Sequence, residues 1–318
     1  MKDRFTLRRL LTRLGTILAL LILTIVFSVA VPGFVRSENL LNILRQIALL
    51  LIISEGFTMC LIVGELDLSF ANVASLASAL VAGLIIRGHN PAVAILLSLL
   101  VGLAFGIGNG LLVTKIGISS LITTLASGIV AGGMVYMYTK GVSFYGNMPE
   151  LFLALGRGSI GPIPVLVIIM FAVLIGAHVL INRTTVGRYM EATGGNKVAA
   201  MLAGINTDFY KILGMALSGL GAAVTGILLT SRLGAANPEG ASGFLMDAFA
   251  TALLGQTVIN VGQPSPLGTF IGALLIGVLN NGLTLLGAQY YVQDITKGTI
   301  IILSVVVTSL QAKRLEGK

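Results

Sequence analysis

The stretch LLLIISEGFTMCLIVGELDLSFANVASLASALVAGLII, Leu49 to Ile86, contains two apolar runs separated by the motif GELDLS, Gly64 to Ser69. A helix that crosses a bilayer needs about 20 predominantly apolar residues, and the two runs approach that length. The motif between them carries Glu65 and Asp67, two carboxylates two positions apart. Because a carboxylate at the centre of a bilayer costs at least ~2.5 kcal/mol, the motif predicts a break between two helices.

The whole chain of 318 residues repeats this alternation of apolar runs and short polar breaks. It is 56% hydrophobic and 10% charged, and its mean hydropathy of +0.99 is far above that of a soluble globular chain. We therefore expect an all-α membrane protein in which residues 1–318 form a single transmembrane domain. The predicted spans, about ten, are 14–34, 44–63, 69–87, 91–114, 119–138, 162–182, 209–231, 244–262, 266–288 and 294–311.

The positive charges predict the orientation of these spans. Thirteen of the 20 Lys and Arg residues lie in or beside the N-terminal segment, the C-terminal segment and the alternate loops that this order of spans places on the same side. The positive-inside rule then places both termini in the cytoplasm, and it accounts for the net charge of +8 without nucleic acid as a partner. The first apolar run is longer than the about 7–15 residues of a signal-peptide core, which favours an uncleaved first span.

Several kinds of chemistry are excluded by the residues that the chain lacks. Cys60 is the only cysteine, which rules out an internal disulfide and a thiolate metal site. The sequence contains no G-x-x-x-x-G-K-[ST] phosphate-binding loop, no H-E-x-x-H and no G-x-S-x-G. We therefore predict neither an enzyme nor a resident metal or cofactor.

Three roles compete for the carboxylates of GELDLS. In the first, Asp67 is the N-cap of a helix that begins at Leu68, where it accepts a free backbone amide and its charge meets the positive helix end. In the second, Glu65 and Asp67 lie at the inner water interface and help to bind a partner subunit. In the third, both are ligands of a transported solute.

Other polar residues inside apolar runs pose the same question. Glu55 either lines a polar path or pairs with a group of a neighbouring helix. Asp247 is predicted to cap the eighth span as Asp67 caps the third. Asp294 and Lys297, three residues apart, are predicted to form an ion pair.

The two halves of the chain resemble each other and predict an internal repeat. Asp67 and Asp247 are each followed by a small-residue helix, and then by Asn109-Gly110-Leu111 and Asn281-Gly282-Leu283 respectively. In transporters built from repeats, the solute path lies at the repeat interface. Asn109, Asn280 and Asn281 are then either ligands on that path or interhelical hydrogen-bonding groups, and we favour the second role.

The polar loop over residues 183–208 is predicted to lie inside. Its sequence RTTVGRYMEATGGNKVAAMLAGINTD mixes helix formers with a Gly194-Gly195 pair, which predicts two short amphipathic helices around a bend. Such a segment either docks to a soluble partner or packs as a simple connector.

The motifs of this loop resemble those of a known family. Ala192-Thr193-Gly194-Gly195-Asn196 precedes Ala199-Ala200 and Gly204-Ile205, which is similar to the cytoplasmic coupling segment of permease subunits in bacterial ribose-type (simple-sugar) ABC importers. GELDLS resembles the G-G-I-D-L-S of that family, and GALLIGVLNNGLTLLG, Gly272 to Gly287, is also similar. The resemblance covers most of the chain from Gly64 onward.

This resemblance implies a type II-importer-like permease in the bacterial cytoplasmic (inner) membrane. The implied partners are a second permease subunit, in a homodimer or heterodimer, cytoplasmic ATPase subunits that carry ATP and Mg, and an extracytoplasmic solute-binding protein. The implied activity is import of a monosaccharide or similar small polyol by alternating access. The implied ATPase-coupling residues are Glu191, Ala192, Gly194, Gly195, Asn196, Ala199 and Gly204. The candidates for the translocation path or a helix break are Glu55, Gly64, Glu65, Asp67, Asn109, Asp247, Asn280 and Asn281.

Two questions stay open at this stage, the identity of the solute and the source of energy for transport. Glu65-Leu66 stands where the family usually has Gly-Ile, so the motifs do not identify the solute. The carboxylates Glu55, Glu65, Asp67, Asp247 and Asp294 also suit an ion-coupled secondary transporter, whose transport would require no ATPase.

Overall fold

The structure of the chain is a computed structural model, which describes residues 2–259, 262–300 and 302. In this part the chain is almost wholly helical. The α-helices are α1 (Lys2–Ala30), α2 (Ser37–Ile62), α3 (Phe70–Ile86), α4 (Pro91–Leu111), α5 (Ser120–Thr139), α6 (Glu150–Arg157), α7 (Val165–Arg183), α8 (Thr185–Gly195), α9 (Lys197–Leu202), α10 (Thr207–Leu233), α11 (Phe244–Gly255) and α12 (Pro266–Leu285). A π-helical turn, Leu112–Ile116, extends α4, and residues 290–300 are also helical.

The prediction of an all-α membrane protein is confirmed, but a count of ten spans is not. Within the described residues, six helices are long and apolar enough to cross a membrane: α2, α4 with its π-helical turn, α5, α7, α10 and α12. Three apolar stretches are shorter, namely Gly15–Ala30, α3 and α11. The last predicted span, 294–311, lies mostly outside the described residues.

The chain divides into two compact units, residues 48–246 and residues 1–47 with 247–318. In the unit of residues 48–246, α10 is central and packs against α3, α4, α6 and α8. Small residues permit this packing: a Cβ atom added to Gly102 of α4 would lie 2.4 Å from the carbonyl oxygen of Gly219 in α10. Helices in lipid commonly associate through such small-residue faces, because the backbones must come close to gain dispersion energy.

The other unit, residues 1–47 with 247–318, is built around the pairing of α1 with α12. A Cβ atom on Gly282 would lie 2.4 Å from the ring of Phe27, so α12 presents a flat surface to that ring. The Asn39 amide donates a hydrogen bond of 2.9 Å to Oδ1 of Asn281. Apolar packing and a part-buried amide pair therefore hold this unit together.

In the unit of residues 48–246, loops that the sequence places on the same side of the membrane contact each other. Four two-residue strands are present: β1 (Phe144–Tyr145), β2 (Ser159–Ile160), β3 (Ile163–Pro164) and β4 (Ala235–Ala236). The antiparallel pair β1 and β4 joins two loops predicted to lie outside. Lys115 and Asp208, from two loops predicted to lie inside, form an ion pair of 2.8 Å. The pairing of these loops agrees with the predicted order of spans.

Candidate coupling site and buried polar segment

The inner segment folds as two short helices, α8 and α9, as predicted. Thr184 caps α8 by accepting the amide of Gly187 at 3.1 Å, and Asn196 caps α9 by accepting the amide of Ala199 at 3.0 Å. The position of the bend differs from the prediction. It lies at Asn196 rather than at the Gly194-Gly195 pair, because the Asn196 side chain satisfies an amide of the next helix and so starts it there.

Apolar packing anchors α8 to the rest of its unit. Met190 is fully buried and packs with Ile181 of α7 and with Met59 and Val63 at the end of α2. The segment is therefore more than a loop on the surface, because one face of α8 belongs to the core.

Helix α9, in contrast, leaves large apolar side chains in contact with solvent. Ala200 is buried, but Val198, Met201 and Leu202 are 67%, 55% and 85% exposed. Large exposed apolar groups that cluster together mark a surface for contact with another protein or with the membrane.

Most of the predicted coupling residues lie on or beside this exposed surface. Glu191 is exposed on α8, and partial burial of its carboxyl raises its pKa above the ordinary value. Ala192 is half-buried and Ala199 is exposed. Gly204, with φ of +81°, ends the turn after α9 and is exposed.

The two adjacent glycines of α8 differ in their surroundings. A Cβ atom on Gly195 would meet nothing within 4 Å. A Cβ atom on Gly194 would lie 2.0 Å from the carbonyl oxygen of Ile62 and 2.9 Å from the backbone nitrogen of Gly64. Although part of Gly194 is exposed to solvent, its side-chain position points at the end of α2, whereas that of Gly195 points outward.

The GELDLS segment is the predicted break between two helices. Gly64 has φ of +80°, a left-handed conformation that other residues rarely adopt, and it lies two residues after Ile62, the last residue of α2. The next helix, α3, begins only at Phe70 and has Ser69 as its N-cap residue, without a side-chain capping bond. The prediction that Asp67 caps a helix from Leu68 is therefore wrong.

Asp67 instead organises the turn that precedes α3. Its Oδ1 atom accepts the backbone amide of Ser69 at 2.8 Å and the Ser69 hydroxyl at 2.6 Å. The carboxylate thus stabilises an Asx-type turn, which the short Asp side chain forms readily. Asp67 is 1% exposed, so it does not lie at a water interface as the second of the three roles required.

Glu65 also faces the protein interior. It forms an ion pair with Lys211 of α10, and the two side chains are 9% and 14% exposed. An ion pair at such low exposure is screened little by salt, and removal of one partner leaves an uncompensated charge. Glu65 is therefore bound within the chain rather than presented to a partner subunit.

Hydrogen bonds from two further helices hold the same segment. The Asn109 amide of α4 donates to the Ser69 hydroxyl at 3.1 Å, which confirms its predicted interhelical role. The amides of Leu66 and Leu68 donate to the hydroxyls of Ser120 and Thr124 of α5 at 3.2 and 3.0 Å. Backbone amides that would be unsatisfied in a break between helices thus find partners.

Glu55 differs from Glu65 and Asp67 because its carboxylate has no partner in the described part of the chain. Its side chain is 1% exposed, and neither oxygen has a hydrogen-bond partner among the described residues. The predicted pairing with a neighbouring helix is therefore wrong. Its role on a translocation path stays a prediction.

The polar residues of the other unit form pairs of their own. Asp247 lies in the first turn of α11 and does not cap it, because the helix already begins at Phe244. Lys297 forms ion pairs with Asp247 at 3.0 Å and with Asp294 at 3.7 Å, so the predicted Asp294 pair is confirmed and a second partner is added.

The two asparagines of α12 differ in their bonding. Asn281 accepts the Asn39 amide, as an interhelical hydrogen-bonding group does. The side-chain oxygen of Asn280 has no partner among the described residues. The prediction that Asn280 forms an interhelical hydrogen bond is therefore wrong for that oxygen. Within the described part of the chain, no cluster of His, Cys, Asp and Glu is arranged to hold a metal ion.

Sequence reasoning missed the residues that hold the GELDLS segment. Lys211 is a single basic residue near the start of a long apolar helix, and a charge in that setting requires a partner. That signal indicated a partner but did not identify Glu65. Ser120 and Thr124 gave no signal, since hydroxyl residues occur throughout the spans.

Multiple apolar helices, a buried polar break between two of them and a short helical segment with an exposed apolar face are features of a multi-pass membrane protein. Comparison with known proteins agrees: residues 39–305 match the family described as "Branched-chain amino acid transport system / permease component". The chain belongs to this family.

Similar proteins within this group are sugar permeases. The chain is 39% identical to the ribose import permease protein RbsC of Bacillus subtilis, over 92% of this chain and 91% of that one. It is 36% identical to RbsC of Escherichia coli K12, over 92% of each chain, and 33% identical to the D-allose transport system permease protein AlsC of the same strain, over 94% and 92%. No solved structure is significantly similar to it.

Membership of this family has two consequences. The chain is a transport permease subunit and itself a multi-pass membrane protein, and it is not a catalytic enzyme. The ion-coupled secondary transporter is not favoured. In agreement, the structure pairs Glu65, Asp247 and Asp294 with lysines rather than leaving a chain of unpaired carboxylates.

Proposed function

We propose that this chain forms the membrane pathway of an ATP-driven importer and carries a monosaccharide or similar small polyol into the cytoplasm by alternating access. Similarity to ribose and allose import permeases over more than 90% of the chain supports this solute class. In this proposal both termini are cytoplasmic, and a second permease subunit, identical or related, completes the pathway. An extracytoplasmic binding protein delivers the solute.

The proposal that ATP drives transport rests on the exposed apolar face of α9. Val198, Met201 and Leu202 are the groups that a groove of a cytoplasmic ATPase subunit, loaded with ATP and Mg, would bury. Burial of one exposed Leu side chain contributes roughly 1.5–3 kcal/mol. The anchored helix α8 would then receive the movement of the ATPase as it closes.

The chain offers a matched pair of variants that tests this docking. Leu202 of α9 and Leu151 of α6 are 85% and 86% exposed, and the predicted topology places them on opposite sides of the membrane. We expect Leu202→Glu to weaken co-purification with the ATPase subunits by at least about tenfold, since the charge must be desolvated in the interface. Leu151→Glu leaves co-purification unchanged.

Transport itself is measured in vesicles that contain the permease, the ATPase subunits and the binding protein. We expect uptake of radiolabelled ribose, arabinose or allose that requires ATP on the cytoplasmic side. Gly195→Trp and Glu191→Lys, which change exposed positions of α8, should reduce both uptake and hydrolysis stimulated by the binding protein. Uptake that proceeds without ATP, or equal co-purification of both leucine variants, would contradict the proposal.

A further inference from the structure

The GELDLS segment, residues 64–69, is joined to the ends of four helices of its unit. Gly64 lies against Gly194 of α8, with 3.3 Å between the Gly194 Cα atom and the position of a Gly64 Cβ. Glu65 is paired with Lys211 of α10, and Ser69 accepts a hydrogen bond from Asn109 of α4. The hydroxyls of α5 hold its backbone amides.

The contact with α8 is made by backbone against backbone. Because neither Gly64 nor Gly194 has a side chain, no flexible group lies between the end of α8 and the carbonyl oxygen of Ile62. A displacement of α8 toward α2 therefore pushes directly on the end of α2. Packed contacts of this kind transmit small shifts, since the interior is dense and deforms little.

The contact with α10 is electrostatic. The Glu65 and Lys211 side chains are mostly buried, so separation of the pair would leave each charge without a partner in a poorly solvated place. A shift of residue 65 is thus expected to carry the start of α10 with it, and α10 is the central helix of the unit.

We propose that residues 64–69 transmit the movement of the coupling helices α8 and α9 to the spans α4, α5 and α10, with Gly194, Glu65 and Lys211 as the positioning residues. This inference rests on the proposed function, because it requires an ATPase that moves α8. It assigns Gly194 to a contact inside the chain and leaves Gly195, Glu191 and α9 to bind the partner.

The first variant is Gly194→Ala, whose methyl group would lie 2.0 Å from the Ile62 oxygen and so force α8 away from α2. The control is Gly176→Ala in α7, where a Cβ atom meets nothing within 4 Å. Both replacements change a helical glycine to alanine and add one methyl group.

The measurement is the number of solute molecules imported per ATP hydrolysed, in complexes whose assembly is checked by co-purification with the ATPase subunits. For Gly194→Ala we expect the complex to assemble with the ATPase subunits and the import ratio to fall about tenfold, equivalent to ~1.4 kcal/mol. Gly176→Ala should import as the unchanged protein does. If residues 64–69 only held the helices together, Gly194→Ala would change the stability of the protein but not the number of solute molecules imported per ATP.

The ion pair supplies a second and independent test. Glu65→Gln and Lys211→Gln should each lower the import ratio, and the exchange Glu65→Lys with Lys211→Glu should restore at least part of it. If Gly194→Ala does not accumulate in the membrane, these variants decide the question. A normal import ratio in assembled complexes of Gly194→Ala, or of Glu65→Gln in its place, would overturn the inference.

The two proposals fail in different ways. If the proposed function is wrong, the unchanged protein itself imports without ATP or does not bind the ATPase. If only the transmission is wrong, the unchanged protein is coupled, Leu202→Glu still loses the ATPase, and Gly194→Ala transports normally.

Discussion

The packing of α4 on α10 yields a prediction with a built-in control. A Cβ atom on Gly106 of α4 would lie 2.3 Å from the carbonyl oxygen of Met215 and 2.7 Å from the Cα atom of Ala216, both backbone atoms of α10. A Cβ atom on Gly108, two positions along the same helix, would meet nothing within 4 Å. Gly106→Ala and Gly108→Ala therefore differ in one respect, the space that the methyl group enters.

The magnitude follows from this geometry. For an ordinary van der Waals contact the distance of 2.3 Å must grow to 3.4 Å or more, so α4 and α10 must separate by about 1 Å locally. Overpacking of a close contact costs typically about 1–3 kcal/mol. The gain in helix propensity from Gly to Ala is the same in both variants and cancels in the comparison. We expect Gly106→Ala to be less stable than Gly108→Ala by about 2 kcal/mol.

Cys60 provides the assay, because it is the only cysteine and is buried in α2. The rate at which a thiol-reactive dye labels Cys60 in detergent reports how often the unit opens. In the regime where opening is fast compared with labelling, a difference of about 2 kcal/mol raises the labelling rate of Gly106→Ala roughly thirtyfold over that of Gly108→Ala. Equal labelling rates of the two variants would refute the reasoning from small-residue packing.

Two further predictions concern topology and the polar turn. Cysteines at Asn147 and Lys197, in a background where Cys60 is replaced by Ala, should react with a membrane-impermeant reagent from opposite sides; reaction of both from one side would contradict the predicted order of spans. Asp67→Asn should keep expression and most transport, because an amide oxygen still accepts the Ser69 hydrogen bonds, whereas Asp67→Leu leaves a buried amide unsatisfied at a cost of about 1–3 kcal/mol. An Asn variant that assembles but transports nothing would show that the charge itself is required.

The local features of this chain could be read from its sequence. Runs of apolar residues predict helices because each span satisfies its own backbone hydrogen bonds in lipid. The break at Gly64 and the pair of short helices over residues 183–208 were also predicted, since a polar motif between apolar runs and a glycine pair within a polar loop act over a few residues. The family resemblance was visible for the same reason, because its motifs are short and contiguous.

Tertiary structure decided which groups meet. Asp67 was predicted to cap a helix, yet it closes the turn before α3, where Asn109 and the hydroxyls of α5 also bond to the segment. The partner of Glu65 is 146 residues away, and no local pattern identifies one lysine among several at that distance.

The glycine pair Gly194-Gly195 shows most clearly what each level contributes. The sequence predicted that both residues belong to the coupling segment, and it treated them alike because they are chemically identical neighbours. The fold separates them: one step along α8 turns the side-chain direction by about 100°, from the end of α2 to open solvent. Which of them touches the chain and which is free to meet a partner depends on where α8 docks, because the packing of α8 on α2, α7 and α10 sets the rotation of the helix about its own axis.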